Sequence, residues 1–289
     1  MFRVHRLFLA LAVLAVSVCF IACGARGGAD KPVVTVSLQP QKYMLEKIVG
    51  DVYNVRCLLS NGGNPESYDP SFANLLNTEK SVAFLRMGNI GFEEAIVDKV
   101  HESNPSLPIY DTSRGIVPVV GTHGHDAADP HVWTSVRNVK VIARNMCEAM
   151  SEVDPSNADR FRANLEAFDA ELDELDARIS AELAPLRGSA FLVWHPSLSY
   201  FARDYGLRQI VVGGAEHKEM SLPDLRRSVD EAVASGAEVL FVQKETDGRH
   251  AEAIGADLPV RHVEINPLSE DWPAQMLLIA NSLAHAGND

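Results

Sequence analysis

The sequence predicts an α/β protein with two lobes, each a mostly parallel sheet flanked by helices, bridged by one long rigid helix. Strand-like and helix-like segments alternate in the first half of the chain and again in the last third. That alternation is typical of parallel sheets covered by helices. Between the two parts runs one amphipathic pattern too long for a strand, which indicates the bridging helix.

The N-terminal lobe begins with the β-branched run from Val33, and turn-forming residues such as Asn61-Gly62-Gly63 separate its elements. The predicted strands are Val33–Leu38, Tyr53–Leu59, Val82–Met87 and Leu107–Tyr110, and the predicted helices are Gln41–Val49 and Val136–Met150.

The bridging helix is predicted from apolar residues that recur at helical spacing. They are Phe161, Leu165, Phe168, Leu172, Leu175, Ile179 and Leu183. Asp154-Pro155-Ser156 gives a start signal, and Pro185 with Gly188 a stop signal. A helix over Ser156–Ala184 would be about 43 Å long. A coiled coil is the alternative, but the stripe lasts only about four heptads, which favours packing against the protein's own lobes.

The C-terminal lobe repeats the alternation. Its predicted strands are Ala190–Trp194, Gln209–Val212, Val239–Gln243 and Val260–Ile265, and its predicted helices are Pro196–Tyr205, Leu222–Ser235, His250–Ile254 and Trp272–Ala286. These elements divide the chain into an N-terminal lobe over 32–152, a bridging helix over 153–186 and a C-terminal lobe over 187–289.

The N-terminus has the pattern of an export signal over residues 1–22. Arg3 and Arg6 precede an apolar run, Leu7–Ala22, that is shorter than the roughly 20 residues of a membrane-spanning helix. The run ends Phe20-Ile21-Ala22-Cys23, which resembles the lipobox of bacterial lipoproteins, although Phe20 stands where leucine is usual. The resemblance implies lipidation at Cys23, a tether over 23–31, and anchoring to a bacterial membrane, facing the periplasm or cell exterior. An ordinary signal peptide cut elsewhere and an uncleaved anchor are the alternatives.

The composition argues against nucleic acid as a partner. The formal net charge is −13, and no basic run follows the N-terminal segment. Two cysteines remain after that segment, Cys57 and Cys147. Both suit buried small hydrophobic positions, and whether they pair in an exported protein is open.

Three distant segments each place a metal-capable side chain in a turn or at a strand end. They contain Glu66, His131 and His195, within Pro65-Glu66-Ser67-Tyr68, Asp129-Pro130-His131-Val132-Trp133 and Trp194-His195-Pro196-Ser197. A single histidine of this kind is more often structural. Two histidines in equivalent strand-end settings, one in each lobe, favour ligation, because open α/β sheets bind ligands at the carboxyl ends of their strands. If the three side chains converge at these sheet edges, we expect them to form a site for a divalent transition metal.

These motifs, in this order, resemble one family over essentially the whole chain after the signal. The most specific parts are Asp129-Pro130-His131-Val132-Trp133 and the stretch from His195 through Tyr200-Phe201 to Tyr205-Gly206-Leu207. The family is that of the metal-binding, substrate-binding proteins of zinc and manganese ABC importers. The resemblance implies two α/β lobes with a metal clamped between them, capture of the ion outside the cytoplasmic membrane, delivery to an ABC permease with its ATPase, and no catalysis.

Carried over by position, the family's metal ligands fall on Glu66, His131, His195 and Asn266. Glu66 stands where the family's first histidine is usual, and Asn266, in Asn266-Pro267-Leu268, where an aspartate is usual. One position gains a carboxylate and the other loses one, so the charge of the set is unchanged. Amide oxygens are weak ligands, so Asn266, a water held by it, or the neighbouring Glu264 remain open as the fourth ligand.

Zinc is the favoured metal, because affinity order places it above manganese and iron for such ligands. Zinc members of the family often carry a histidine-rich loop before Asp-Pro-His. Here the loop has only His123 and His125, which form either a reduced metal-gathering loop or an ordinary flexible loop.

Other functions have less support. An adhesin or a periplasmic metal buffer of the same fold is an alternative. A two-histidine, one-carboxylate metalloenzyme is the least favoured, because those enzymes place ligands close together in a β-barrel. The sequence has no His-Glu-X-X-His, no Gly-X-Ser-X-Gly and no phosphate loop. A monomer is expected.

Overall fold

The structure, a computed structural model, describes residues 31–59, 63–120, 128–213, 222–243 and 260–286. Some expectations fall outside these residues. They are the export signal with Cys23, the loop histidines His123 and His125, and the helix predicted over His250–Ile254.

The first sheet is parallel throughout, with its strands in the order β2-β1-β3-β4. Its strands are β1 (Val33–Val36), β2 (Asn54–Cys57), β3 (Phe84–Arg86) and β4 (Ile109–Asp111). Each is shorter than or shifted from its predicted run. Leu58 and Leu59, just beyond β2, still donate backbone hydrogen bonds to Val36 O and Ser37 O, so pairing continues a little past the strand bounds.

The second sheet repeats this topology, with the parallel order β6-β5-β7-β8. Its strands are β5 (Ala190–Val193), β6 (Arg208–Val211), β7 (Val239–Gln243) and β8 (Arg261–Ile265). In both sheets the strand order reverses beside the first strand. That reversal opens a crevice at the carboxyl ends, where ligands bind in folds of this class.

Helices cover the sheets and join them. They are α1 (Gln39–Val49), α2 (Phe72–Glu79), α3 (Gly91–Ser103), α4 (Val136–Val153), α5 (Ala158–Leu183), α6 (Ser199–Tyr205), α7 (Leu222–Ser235) and α8 (Trp272–Ala284). The helix expected from Pro196 begins at Ser199, because the chain bends over 194–196 and the next two N–H groups donate outside the helix. The N–H of Ser197 donates to His195 O, and that of Leu198 to Gln209 Oε1.

Helix α5 is the predicted bridge, with a short 3-10 turn at each end. Its 26 residues span about 39 Å. It packs against α1 and α4, which belong with the first sheet, and against α8 of the second. The contact face of α5 consists of buried apolar residues, namely Phe161, Phe168, Leu172, Ile179 and Leu183. The apolar stripe therefore packs against other elements of the same chain.

One hydrophobic core runs between the two lobes. It contains Val34 and Phe84 of the first sheet, Phe168 of α5, and Phe191 and Phe241 of the second sheet. A smaller cluster, with Leu192, Ile210 and Leu240 among its members, packs on the other face of the second sheet. The lobes are therefore held together by continuous apolar packing.

Two further features bear on the sequence expectations. Cys57 and Cys147 are both free thiols. Within the described residues, no helix combines the length and the apolar character needed to cross a membrane.

Glu93, in the first turn of α3, is a fully buried carboxyl group of the first lobe. It accepts hydrogen bonds from the backbone N–H groups of Met87 (2.7 Å) and Gly88 (2.8 Å), just beyond β3. Burial raises the pKa of Glu93 from 4.5 to about 7, although these N–H groups and Ser37 favour the charged form. The folded protein therefore binds this proton more tightly than the unfolded chain.

Glu93→Gln tests this burial through the pH dependence of stability. The contribution of a group with a raised folded-state pKa is complete below pH 4.5 and is lost as the pH rises through about 7. We expect the wild-type free energy of unfolding, relative to Glu93→Gln, to fall by roughly 3 kcal/mol across that range. Urea unfolding at several pH values measures it, with exposed Glu102→Gln as control. A constant difference would contradict the raised pKa.

Candidate metal site

Three sequence-predicted residues meet in the cleft between the sheets. Glu66 lies in the turn over 65–67 between β2 and α2, and His131 directly precedes a 3-10 turn, Val132–Thr134, that leads to α4. His195 lies two residues after β5, where the second sheet's strand order reverses. The first lobe thus supplies two side chains and the second lobe one.

The ligand-capable atoms of these three residues all lie within 4.8 Å of one another. His195 Nε2 is 3.3 Å from His131 Nε2 and 3.2 Å from Glu66 Oε1. Two ligands about 2.0–2.1 Å from a tetrahedral zinc ion lie about 3.3–3.4 Å apart. The two measured separations therefore suit nitrogen and oxygen atoms that share one small divalent ion.

The site is mostly shielded from solvent. The side chain of His131 is 5% exposed, that of His195 13% and that of Glu66 16%. A dication at this point would meet one carboxylate and two imidazoles in a region of reduced dielectric, where charge pairing is stronger than in water.

Asp129 orients His131. Its Oδ1 accepts the backbone N–H of His131 at 2.8 Å and lies 2.9 Å from His131 Nδ1. A carboxylate only accepts, so Nδ1 carries the proton, and the lone pair of Nε2 faces the cleft. This carboxylate–histidine arrangement is typical of metal-binding histidines.

Tyr200 of α6, in the C-terminal lobe, forms hydrogen bonds with the segment that leads to His131. Its hydroxyl donates to the Asp129 carbonyl at 2.8 Å and accepts the Val119 N–H at 3.3 Å. Val119 O in turn accepts the Asp129 N–H at 2.8 Å. The position of His131 therefore depends on contacts from both lobes.

Glu66 and His195 are also held by local hydrogen bonds. The N–H of Glu66 donates to Asn64 Oδ1 at 2.8 Å. The carbonyl of His195 accepts the Ser197 N–H at 2.8 Å, and Gln243 at the end of β7 donates to Ser197 Oγ. Both ligand positions are thus fixed by short-range turns.

Asn266 lies directly after β8 and begins a turn. Its Oδ1 accepts the Leu268 N–H at 3.0 Å, and its own N–H donates to Gln275 Oε1 at 2.9 Å. The amide oxygen of Asn266 therefore already accepts a hydrogen bond within the turn. Glu264, on β8, is exposed, and among the described residues it does not belong to the cluster formed by Glu66, His131 and His195.

Asp129→Ala tests the orientation of His131. Loss of a partner that holds a ligating histidine typically lowers metal affinity by roughly 10–100-fold, and we expect a loss of that size. Asp129→Asn keeps an acceptor oxygen and should lose less. Competition with a chromophoric chelator measures both. Wild-type affinity in Asp129→Ala would show that His131 needs no such partner.

Sequence reasoning named Asp129 and Tyr200 within motifs but missed what they do. Asp129 stands two residues before His131, a spacing at which an aspartate accepts the following backbone N–H, and this was a usable signal. The role of Tyr200 had no local signal, because its partner Asp129 is 71 residues away.

Comparison with known proteins identifies related sequences. Residues 34–286 match the family model described as "ZnuA: Zinc-uptake complex component A periplasmic". The chain is 26% identical over 257 residues to the "Putative metal-binding protein" of Chlamydia trachomatis, covering 87% of this chain and 90% of that protein. It is 22% identical over 278 residues to the "High-affinity zinc uptake system protein ZnuA" of Bacillus subtilis, covering 88% and 86%.

Several solved structures share the fold of this chain. A crystal structure of ZnuA is similar, with a TM-score of 0.83 and 33% identity, covering 90% of this chain and 100% of that one. A Mn-bound periplasmic metal binding protein from Candidatus Liberibacter asiaticus has a TM-score of 0.78 at 17% identity, covering 88% and 100%. The laminin-binding adhesin of Streptococcus agalactiae has a TM-score of 0.78 at 20% identity, covering 86% and 98%. These last two similarities concern the fold alone.

Proposed function

Since the chain belongs to the ZnuA family of periplasmic zinc-uptake components, we propose that it captures its metal with Glu66, His131 and His195. Membership of a family of periplasmic zinc-uptake components supports a location outside the cytoplasm and a role as the solute-binding partner of an ABC permease and its ATPase. The observation that carries the ligand assignment is the convergence of the three side chains, from both lobes, within 4.8 Å. The protein binds and delivers the ion, and no step requires a chemical reaction.

Zinc is the proposed ion. Two imidazoles and a carboxylate also suit Mn(II) and Fe(II), but zinc has the highest affinity of the three for such sites. The Bacillus subtilis relative is named for zinc uptake. The Mn-bound structure, which shares the fold, makes manganese the second candidate. If the bound ion is zinc, His123 and His125 are proposed to gather it before it enters the site.

The fourth coordination position is proposed to hold water or Asn266 Oδ1. The amide oxygen already accepts the Leu268 N–H, and a neutral amide is a weak ligand compared with a carboxylate. Glu264 is disfavoured because its exposed side chain is not in the cluster.

Asn266→Ala tests how much Asn266 contributes at the fourth position. We expect it to lower zinc affinity less than His131→Ala does, because it removes at most a weak ligand while His131→Ala removes an imidazole. Calorimetry in the presence of a competing chelator ranks the two variants. The reverse order would make Asn266 a principal ligand.

The lipobox-like segment supports export and attachment through a lipid on Cys23, with 23–31 as a tether. The protein is proposed to act as a monomer with lobes over 32–152 and 187–289 and a bridge over 153–186. Mass spectrometry of membrane-extracted protein tests the lipid, and Cys23→Ser is the control. An unlipidated chain in the membrane fraction would favour the uncleaved anchor.

Two other functions of the same fold remain as alternatives. A laminin-binding adhesin shares the fold, and a periplasmic metal buffer would need only the metal site. An adjacent permease and ATPase gene pair would favour transport over both. A metalloenzyme is the least supported, and turnover of a substrate that is lost in His131→Ala would be needed to argue for it.

The direct test is metal analysis of the natively purified protein from Asp30 onward. We expect one tightly bound divalent ion per chain, with zinc the main element. Anomalous scattering from a crystal would give the element and its ligands together. Substoichiometric metal in a folded protein would contradict the proposal.

A further inference from the structure

Trp133 joins the two lobes beside the metal site through a pair of indole hydrogen bonds. Its Nε1–H donates to Pro267 O at 3.0 Å, and its carbonyl accepts the Nε1–H of Trp272 at 2.8 Å. Both tryptophans are buried. The segment that carries His131 is therefore connected twice to the turn and helix that follow β8.

Trp133 cannot move independently of His131. His131 directly precedes the 3-10 turn that contains Trp133, and the Thr134 N–H and Oγ1–H of that turn both donate to His131 O, at 3.1 and 2.8 Å. The ring centroids of Trp133 and His131 are 5.1 Å apart. A shift of the indole would therefore be transmitted to the imidazole.

The opposite side of the connection is the turn over 266–272. Asn266 Oδ1 accepts a hydrogen bond from the Leu268 N–H, and Gln275 Oε1 of α8 accepts one from the Asn266 N–H. Lys42 of α1 forms a further ion pair with Glu270, at 2.5 Å. This turn leaves the second sheet but is held by residues of the first lobe.

From these contacts we propose that Trp133 is a positioning residue that limits the release of the metal ion. It holds His131 and the turn over 266–272 as one rigid unit. With both indole bonds intact, the His131 imidazole stays directed at the atoms of Glu66 and His195, and loss of these bonds lets it leave the ion sooner. The inference rests on the proposed metal function and adds to it the residue that controls dissociation.

Trp133→Phe is the test, because it keeps an aromatic ring and removes the N–H that Pro267 O accepts. A buried hydrogen bond of this kind has a net effect that corresponds to about a three- to tenfold change in an equilibrium or rate. We expect zinc to dissociate about three- to tenfold faster, at unchanged stoichiometry. Stopped-flow mixing of the zinc-loaded protein with excess chelator measures the rate.

Tyr205→Phe is the matched control. It removes the hydrogen bond from Tyr205 to Asp176, 2.8 Å long, which joins α6 to α5 away from the cleft. We expect a lower melting temperature but wild-type zinc release. Equal acceleration in Tyr205→Phe and Trp133→Phe would mean that general destabilisation is the cause, and would overturn the positioning role.

Trp272→Phe provides a second variant, because it breaks the other indole bond, to the Trp133 carbonyl, and should also speed release. It carries the test alone if Trp133→Phe does not fold. Wild-type dissociation in a folded Trp133→Phe would overturn the inference while leaving the proposed function intact. A wild-type protein that holds no zinc would instead contradict the proposed function itself.

Discussion

Replacing Glu66 and His195 together by alanine should abolish stoichiometric zinc binding. The two substitutions remove one carboxylate and one imidazole, and only His131 remains of the cluster. Loss of a residue that merely supports a ligand costs roughly 10–100-fold in affinity, so loss of two ligands should exceed about 100-fold. Calorimetry and elemental analysis after dialysis would measure the loss.

The control for this double variant is His101→Ala, which removes an exposed histidine in the last turn of α3. It should bind zinc as the wild type does. Circular dichroism establishes that the double variant is folded. One zinc per chain retained in a folded Glu66→Ala, His195→Ala protein would rule out the proposed ligand set.

Phe168→Ala should destabilise the metal-free protein by about 3–5 kcal/mol, the range for truncation of a fully buried phenylalanine. Phe168 lies at the middle of α5 and is 1% exposed. Its ring contacts the Tyr43 ring edge-on, with centroids 5.9 Å apart. Removing the ring leaves a cavity at the contact of the bridge with α1.

Urea unfolding in the presence of a chelator measures this effect, with exposed Glu174→Ala on the same helix as control. The control should change stability by less than about 0.5 kcal/mol. A loss below about 1 kcal/mol in Phe168→Ala would show that α5 can shift to fill the space, and that the bridge is less rigid than proposed.

The two-lobe fold was predictable because its signals are local. The stripe of α5 and the bounds of α7 and β7 follow from periodicity and from turn residues. Helices α2 and α3 were not predicted. Helix α3 begins at Gly91 after Ile90, which offers no side-chain cap, so Glu93 and Glu94 in its first turn were the main local start signal.

The candidate site was predictable in part for the same reason. Glu66, His131 and His195 each lie in a short motif, and the structure brings these three together. Whether they bind metal stays a prediction. The contact of Trp133 with Pro267 joins residues 134 positions apart, and no local pattern reports such a pairing.

The continuous core described between the two sheets has a consequence for the lifetime of the protein outside the cytoplasm. Because Phe84, Phe168 and Phe241 belong to one cluster, opening of either lobe should disrupt the other. An ion bound by the proposed ligands of both lobes would therefore stabilise the whole chain, by an amount that grows with ion concentration. Extracytoplasmic proteases should degrade the empty form faster than the loaded form, so that the quantity of this protein follows the supply of its metal.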